Sequence, residues 1–217
     1  DDWKKWLSVY PSAYRDTQKT SKFAKIINNA GYTILSDINL KGCNVAEIGP
    51  GGGYNFNYFK GKPAKYDVFD VCDDFFPELE QKASEIDLPI TSHKIAAYKP
   101  NINLPDSSLD YIFGFYVIEH LHPLEQWMKE IFRVLKPNGQ LIGAIPTEGS
   151  ILWGLGRCVT SRKILKEKYG LDIRKIVCWE HPNMVDTILK TYGDFGNVQH
   201  KSWPISLLPL DCNLVVQ

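Results

Sequence analysis

A glycine-rich segment carries the clearest chemistry in this 217-residue sequence. Residues Val45–Gly53 read V-A-E-I-G-P-G-G-G and continue an apolar run that is typical of a β-strand. Because glycine lacks a Cβ atom, such a segment can turn sharply and bring its backbone close to a ligand. The dinucleotide-binding pattern G-x-G-x-x-G needs glycine or alanine at position 54, where this sequence has Tyr54. The segment therefore favours another nucleoside-type ligand over NAD, with an ordinary glycine turn as the simpler alternative.

The elements that would position this segment alternate along the chain from Asn44 onward. Short apolar runs predict strands, and runs with helical spacing lie between them. This alternation predicts a parallel sheet with helices on both faces and places the glycine-rich segment at its carboxyl edge. The predicted strands are Asn44–Ile48, Tyr66–Val71, Pro89–Ala96, Tyr111–Val117 and Gln140–Ile145, and the predicted helices are Phe76–Ile86, Pro123–Leu135 and Asn183–Tyr192, with another beginning near Tyr54.

The two ends of the chain predict further elements. Residues 3–38 read as helical, and Trp3, Trp6 and Tyr10 fall at i, i+3 and i+7, which predicts that they pack as one helix face. Near the other end, Val198–Trp203 and Asn213–Val216 predict two strands. Only a short connection joins these strands, so we expect them to be antiparallel neighbours.

Three ordered blocks of the sequence resemble the motifs of class I S-adenosylmethionine-dependent methyltransferases, in particular the small-molecule branch similar to methyltransferase type 11. The blocks are Glu47–Gly53, then Leu104–Asp110 together with Val117–Leu121, and finally Glu130–Leu141. The resemblance extends from Asn44 to about Pro146. It implies an α/β, Rossmann-like fold with a seven-stranded, mainly parallel sheet whose last strand is antiparallel.

Under this resemblance the chain forms a single methyltransferase domain with four parts. We expect an N-terminal helical lid over residues 1–40 and a cofactor-binding core over residues 41–150. A substrate cap insertion would follow over residues 151–182, and a closing helix and strands over residues 183–217.

The resemblance implies S-adenosyl-L-methionine as the cofactor and S-adenosyl-L-homocysteine as its product. Glu47 would accept a hydrogen bond from the ammonium group of the cofactor, directly or through water. Asp70, which ends the second strand, would bind both ribose hydroxyls, because a carboxylate offers two acceptor oxygens to a vicinal diol; Asp67 and a plain surface role are the alternatives. Many relatives carry an acid after the third strand, where this sequence has Ala97, so a side-chain contact there is in doubt. The implied cofactor-binding residues are Glu47, Gly49, Gly51, Gly53, Asp70, Val71, Cys72, Ala97, Phe115 and Tyr116.

Three histidines are candidates for the catalytic side of the site. In methyl transfer the protein supplies position and desolvation, and a base is needed only if the acceptor must lose a proton. His120 and His122 follow the fourth predicted strand, with a structural or cofactor-binding role as the alternative for His120. His181 lies where the family varies its substrate cap, which makes it the first candidate for substrate contact or base. We expect His93 and His200 to be structural or solvated.

The segment Ile151–Pro182 carries seven basic and three acidic residues, a charge of 7 − 3 = +4. It would form a positive rim that attracts an anionic acceptor such as a phosphorylated sugar, or simply a solvated helix face. The predicted function is methyl transfer to a small-molecule acceptor, at oxygen rather than nitrogen. The alternatives are a non-catalytic, cofactor-binding methyltransferase-like subunit and a nucleotide-dependent oxidoreductase.

Composition excludes several other classes of protein. The 25 Lys and Arg residues balance 25 Asp and Glu residues, so the chain lacks the excess positive charge of a strongly electrostatic nucleic-acid binder. No C-x-x-C or H-E-x-x-H string occurs among its residues, so we expect no metal and no disulfide scaffold. The longest apolar run, Tyr111–Ile118, is far shorter than the roughly 20 residues that span a bilayer. We therefore expect a cytoplasmic protein that acts on a small molecule.

Overall fold

The computed structural model describes residues 2–18, 26, 29–147, 161–204 and 213–216. Its strands are β1 (Asn44–Ile48), β2 (Lys65–Asp70), β3 (Ile90–Lys94), β4 (Leu109–Phe115), β5 (Leu135–Pro146), β6 (His200–Trp203) and β7 (Asn213–Val216). They form one seven-stranded sheet in the order β3-β2-β1-β4-β5-β7-β6. Strands β1 to β5 pair in parallel, whereas β7 is antiparallel to both β5 and β6. The predicted α/β fold, with a mainly parallel sheet and an antiparallel last strand, is confirmed.

Helices cover both faces of this sheet. The α-helices defined from end to end are α1 (Asp2–Gln18), α2 (Phe76–Glu85), α3 (Leu124–Val134), α4 (Ser161–Tyr169), α5 (Ile173–Glu180) and α6 (Val185–Gly193). Trp127 of α3 and Ile188 of α6 are buried against Ile112 of β4 on one face. Leu79 of α2 and Phe113 of β4 belong to the core on the other face. The second half of β4, Ile112–Phe115, is wholly apolar, and it is buried because helices cover both faces of the sheet.

The segment after the glycines differs from the predicted α-helix. Residues Tyr54–Tyr58 form a short 3-10 helix, and Gly53 precedes it with φ = +66°. Aromatic residues and asparagine, which alternate here, are weak helix formers, and Gly61 and Pro63 prevent a longer element. Further 3-10 helices span Gly31–Asp37, Asp73–Phe75 and Ile118–His120.

The described part of the predicted cap forms two helices, α4 and α5, which pack against α1. Their shared apolar cluster consists of Trp6, Ala13, Leu165, Leu171 and Ile176. The predicted packing of the N-terminal aromatic face is thereby confirmed for Trp6. Residues 19–25 and 27–28 of the predicted N-terminal helix and residues 151–160 of the predicted cap lie outside the described residues. No described helix is both long enough and apolar enough to cross a lipid bilayer.

Candidate functional site

The carboxyl ends of neighbouring parallel strands bring the predicted cofactor residues to one edge of the sheet. Ile48 of β1 pairs with Phe69 of β2, and the Gly49 amide donates to the Phe69 carbonyl at 2.8 Å. Gly49 and Asp70 therefore lie side by side where the two strands end. The strand order reverses between β1 and β4, and open α/β sheets bind their ligands at such a point.

The glycines have both a conformational and a steric reason to be glycine. Gly49, Gly51 and Gly53 have φ values of +65°, +51° and +66°, a region that other residues rarely adopt. A Cβ atom on Gly49 would lie 2.6 Å from Val117 Cγ2, and one on Gly51 would lie 2.7 Å from the Tyr14 hydroxyl. The backbone at Gly49 and Gly51 therefore leaves no space for a side chain beside Val117 and Tyr14. Contact of this backbone with the cofactor stays a prediction.

Asp70 is the buried acid that ends β2, with only 7% of its surface exposed. Its Oδ1 accepts a hydrogen bond from the Cys72 amide at 2.9 Å. Burial nevertheless raises the pKa of Asp70 to about 6. The pairing of β1 with β2 sets this carboxylate beside Gly49, the first residue of the glycine segment.

Asp67, the alternative acid, is placed away from the edge. It is fully buried inside β2, where its carboxylate pairs with Lys65 at 2.9 Å and with His93 Nε2 at 2.8 Å. The His93 ring also stacks on Phe69. His93 therefore has the structural role expected of it, and Asp67 has no access to a ligand at the edge.

Glu47 is more deeply buried than Asp70, with 2% of its surface exposed. Its Oε1 accepts from Asn55 Nδ2 at 2.9 Å and its Oε2 accepts from the Tyr66 hydroxyl at 2.6 Å. Burial raises the pKa of Glu47 to about 7. Glu47 thus joins β1 to β2 and to the 3-10 helix, and its predicted contact with the cofactor ammonium would have to share these oxygens. Nothing in the local sequence pattern indicated Asn55 or Tyr66 as its partners.

The two aromatic residues at the end of β4 lie in different environments. Phe115 is buried in the core with its ring 5.0 Å from that of Tyr32, so it does not face the edge. Tyr116 leaves the strand with φ = +55°, which is unusual for a bulky residue and strains the backbone at this point. Its hydroxyl accepts a hydrogen bond from the Gly31 amide at 3.2 Å.

The predicted adenine neighbours follow β2 and β3. Val71 is 47% exposed, and the half-buried Cys72 thiol lies 3.6 Å from a carboxylate oxygen of Asp74. Ala97 lies in a turn after β3, and its carbonyl accepts a hydrogen bond from Trp127 Nε1 at 3.1 Å. Val71 therefore offers exposed apolar surface beside Asp70, while Ala97 is tied to α3 through its backbone.

Helix α1 covers the same edge with aromatic side chains. The Tyr14 hydroxyl lies over Gly51, and the rings of Tyr14 and Tyr10 contact Phe75 at 5.2 and 6.1 Å. Burial raises the pKa of the Tyr10 hydroxyl, and the negative charge of Asp70 adds to this effect. Sequence reasoning assigned Tyr10 to helix packing and overlooked Tyr14, although Tyr14 follows Tyr10 at i+4 on the same face.

Two of the three candidate histidines meet, and the third does not. The His120 and His181 rings contact edge to face with their centroids 4.4 Å apart, and His120 Nε2 lies 3.9 Å from Glu119 Oε1. Burial lowers the pKa of the half-buried His120, which makes it a weak general base. His122 is exposed, and its ring lies 6.1 Å from that of Tyr98. Of the three candidates, His120 and His181 therefore lie together beside the 3-10 helix that follows β4, and His122 lies apart from them.

Ion pairs engage several bases of the predicted positive rim. Lys168 pairs with Asp16 of α1 at 2.6 Å, and Lys175 pairs with Asp2 of α1 at 3.0 Å. Arg174 pairs with Asp172 at 2.7 Å, while Arg157 lies outside the described residues. The rim therefore contributes to packing between α1 and the cap helices, which reduces the charge available to attract an anion.

The site fits a nucleoside that carries a charged amino-acid chain. A carboxylate with two acceptor oxygens stands at the end of β2, and a glycine segment without Cβ atoms ends β1 beside it. The exposed side of Val71 adds an apolar surface of the kind that a purine ring requires. S-adenosylmethionine has ribose hydroxyls that can donate to such a carboxylate and an adenine ring that such an apolar surface can contact.

Comparison with known protein families agrees with this geometry. Residues 46–143 match the methyltransferase domain family. A protein of Mycolicibacterium smegmatis named as a probable S-adenosylmethionine-dependent methyltransferase is 30% identical over 105 residues, which cover 48% of this chain and 38% of that protein. A polyketide synthase-nonribosomal peptide synthetase of Phaeosphaeria nodorum is 33% identical over 105 residues, covering 46% of this chain and 3% of that protein. The chain thus spans well under two thirds of the length of either relative.

Solved structures show the same fold. A SAM-dependent methyltransferase from Aquifex aeolicus superposes with a TM-score of 0.61 at 18% identity, covering 95% of this chain and 96% of that one. The [4+2]-cyclase SpnF superposes with a TM-score of 0.58 at 13% identity, covering 92% of this chain and 73% of that one. At these identities the similarity establishes the fold alone, and the fold is shared by proteins with different reactions.

Proposed function

We propose that this chain, whose residues 46–143 carry a methyltransferase domain of the S-adenosylmethionine-dependent family, transfers a methyl group to a small-molecule acceptor. The observation that carries the proposal is the pairing of β1 with β2 at the carboxyl edge, which sets Gly49 beside the buried Asp70 carboxylate. It joins the two groups that would hold the two halves of the cofactor. When bound, S-adenosylmethionine supplies the activated methyl group and its own leaving group. The protein positions the acceptor and excludes water.

Asp70, Val71 and Cys72 would hold the nucleoside, and Gly49, Gly51 and Gly53 would admit the methionine chain. Both hydroxyls of a ribose can donate to the free lone pairs of the Asp70 carboxylate. Tyr14 of α1 lies against Gly51, with its hydroxyl 2.7 Å from where a Cβ atom of that residue would be. We therefore assign α1 the role of a lid and expect its Tyr14 side chain to shift when the cofactor enters.

His181 is proposed to contact the acceptor. It is half-buried, ends α5 and lies beside the 3-10 helix that follows β4 at the carboxyl edge. A neutral imidazole can accept a hydrogen bond, and then the proton, of a hydroxyl group, so His181 could serve methylation at oxygen. A sugar hydroxyl is the first acceptor class to test. Lys168 and Lys175 are paired with Asp16 and Asp2, so their charges are partly neutralised. The proposal therefore does not require the acceptor to be anionic.

Calorimetry on the purified chain tests the cofactor. We expect S-adenosylhomocysteine and S-adenosylmethionine to bind and NAD not to bind. The variant Asp70→Asn should weaken cofactor binding, whereas Asp194→Asn, an exposed acid at the end of α6, should not. Binding of NAD in place of S-adenosylhomocysteine would replace the proposal with the oxidoreductase alternative.

Transfer itself needs a separate assay. Methyl-labelled cofactor would be incubated with a panel of sugars, phosphorylated sugars, lipids and small amines, and label in a product would be expected for a hydroxyl-bearing acceptor. A second candidate function is cofactor binding without methyl transfer. The fold of the [4+2]-cyclase SpnF favours testing it, because a protein can share this architecture and have another reaction. Cofactor binding without label transfer to any acceptor would favour a cofactor-binding protein that performs no methyl transfer.

A further inference from the structure

Three side chains from two distant chain segments converge next to the carboxyl edge. Glu119, His120 and His181 offer one carboxylate oxygen and two imidazole nitrogens, and these atoms all lie within 4.8 Å of one another. Two imidazoles and one carboxylate form a donor set that suits Zn²⁺ and related divalent ions. We propose that Glu119, His120 and His181 bind a divalent transition-metal ion of the Zn²⁺ class.

The surroundings of His120 place its ring beside the other two groups. Its ring packs edge to face against that of His181 with the centroids 4.4 Å apart, and its Nε2 lies 3.9 Å from Glu119 Oε1. His120 Nε2 is therefore close to both of the other groups that would share the ion.

Asn183 fixes the distance between the two segments. Its side-chain amide lies 2.6 Å from the Leu121 carbonyl and 3.3 Å from the carbonyls of Ile118 and Glu119. Its backbone amide donates to the Glu119 carbonyl at 3.3 Å. Because His181 lies two residues before Asn183, these bonds hold the His181 side chain against the turn that carries Glu119 and His120.

The spacing of the ligand atoms is close to what one ion requires. Ligand atoms at about 2.1 Å from one tetrahedral ion lie about 3.4 Å apart. Glu119 Oε1 and His120 Nε2 are 3.9 Å apart, and all pairs in the group are within 4.8 Å. The three atoms would therefore have to approach one another by at most about 1.4 Å, which rotations of the half-buried His120 and His181 side chains can supply. Glu119 is only 3% exposed, so a cation would compensate a buried carboxylate.

This proposal reverses the expectation of no metal. That expectation rested on strings in which the ligands are close in sequence, such as H-E-x-x-H. Here Glu119 and His120 are adjacent, but His181 joins them only through the packing of the chain after α5 against the turn after β4. No spacing rule read along the sequence indicates such a contact.

Metal binding can be measured without any cofactor or acceptor. Chelator-treated protein would be titrated with Zn²⁺ by calorimetry and with Co²⁺ by visible absorption. We expect one saturable site and Co²⁺ bands in the visible range. His181→Ala and the isosteric Glu119→Gln should each weaken binding by roughly tenfold or more. His200→Ala, an exposed histidine on β6, is the matched control and should bind as the wild type does.

The outcomes separate clearly. Circular dichroism and thermal unfolding would establish that each variant is folded before its affinity is compared. Three results would overturn the proposal: failure of the folded wild type to bind either ion, wild-type affinity in Glu119→Gln and His181→Ala, or a loss of affinity in His200→Ala as large as in those variants. Since methyl transfer is not part of the readout, these results are independent of the proposed function.

Discussion

Glu47 and Asp70 are both buried acids at the carboxyl ends of adjacent strands, yet their partners give them different tasks. Both oxygens of Glu47 accept from side chains, those of Asn55 and Tyr66. The backbone amide of Cys72, which follows β2 at the edge, donates to Asp70. Glu47 therefore links elements inside the protein, and we expect Asp70 to be the acid that a ligand at the edge reaches.

Cofactor affinity should depend on pH through Asp70. The pKa of Asp70 is raised to about 6 in the ligand-free protein, and ribose hydroxyls donate best to the ionised form. Affinity for S-adenosylhomocysteine should therefore fall as the pH drops through about 6. Asp70→Asn should weaken binding by about 1–3 kcal/mol above that pH and flatten the profile. Calorimetry at several pH values checks this; a profile unchanged by the substitution would remove Asp70 from the site.

Stability should depend on pH through Glu47. Its pKa is raised from 4.5 to about 7 in the folded protein, so between these values the unfolded state binds fewer protons than the folded state. The free energy of unfolding contributed by this group is therefore full below about pH 4.5 and declines by about 3 kcal/mol as the pH rises to 7. Glu47→Gln should remove that decline in denaturant titrations. Glu85→Gln, an exposed acid on α2, should keep the wild-type slope, and a wild-type slope in Glu47→Gln would contradict the assignment.

At the scale of elements, two effects of replacing a glycine in the turn after β1 can be measured separately: backbone strain and loss of close contact. Gly51 and Gly42 both have positive φ values, +51° and +77°. A Cβ on Gly51 would collide with Tyr14, whereas no described atom lies within 4 Å of a Cβ on Gly42. Both alanine variants should lose stability of about 1 kcal/mol from backbone strain. Only Gly51→Ala should also lose cofactor binding; an equal loss in Gly42→Ala would mean that strain alone explains the effect.

Sequence patterns predicted elements well wherever burial and local propensity agree. The parallel strands were recognisable because both faces are covered, so the runs are apolar. Strand β4 was placed at Tyr111–Val117 but spans Leu109–Phe115, because Tyr116 adopts a left-handed conformation that ends the strand early. The helix expected near Tyr54 is a 3-10 turn, since its alternating aromatic and asparagine residues favour no regular helix.

Contacts between distant elements were beyond the reach of these patterns. The position of α1 over Gly51 depends on Tyr14 and Phe75 packing together, and neither residue's spacing encodes its partner. The meeting of His120 and His181 likewise depends on the hydrogen bonds of Asn183. Motifs identify the residues at the carboxyl edge. The side chains that pack over that edge, such as Tyr14 and His181, could be identified only from the folded structure.

At the scale of the whole molecule, the net charge of zero has a structural meaning. The basic segment of the cap faces acids of the N-terminal helix, as in the pairs Lys168–Asp16 and Lys175–Asp2. Charges of opposite sign that are far apart in the sequence thus meet where α1, α4 and α5 form one layer. Exposed pairs of this kind contribute little stability each, so the apolar cluster around Trp6 must supply most of the attachment.

Trp6→Ala should therefore loosen this layer while leaving the sheet folded. Trp6 is buried among Ala13, Leu165 and Ile176, and its indole NH donates to the Glu180 carboxylate. Loss of a buried tryptophan from a well-packed core costs about 3–5 kcal/mol, and this small cluster has few other contacts to replace it. Amide hydrogen exchange should rise in α4 and α5 and stay slow in β1, β2 and β4.

Leu7→Ala is the matched control for this prediction, because Leu7 is the next residue of α1 and is 56% exposed. It should leave exchange in α4 and α5 unchanged. If the layer also positions His181 for the acceptor, Trp6→Ala should raise the KM for the acceptor. Binding of S-adenosylhomocysteine should weaken far less, because Asp70 and the glycine segment belong to the sheet. Equal loss of both, with fast exchange throughout β1 and β2, would mean that the three helices stabilise the entire domain and do not form a separable cover over the site.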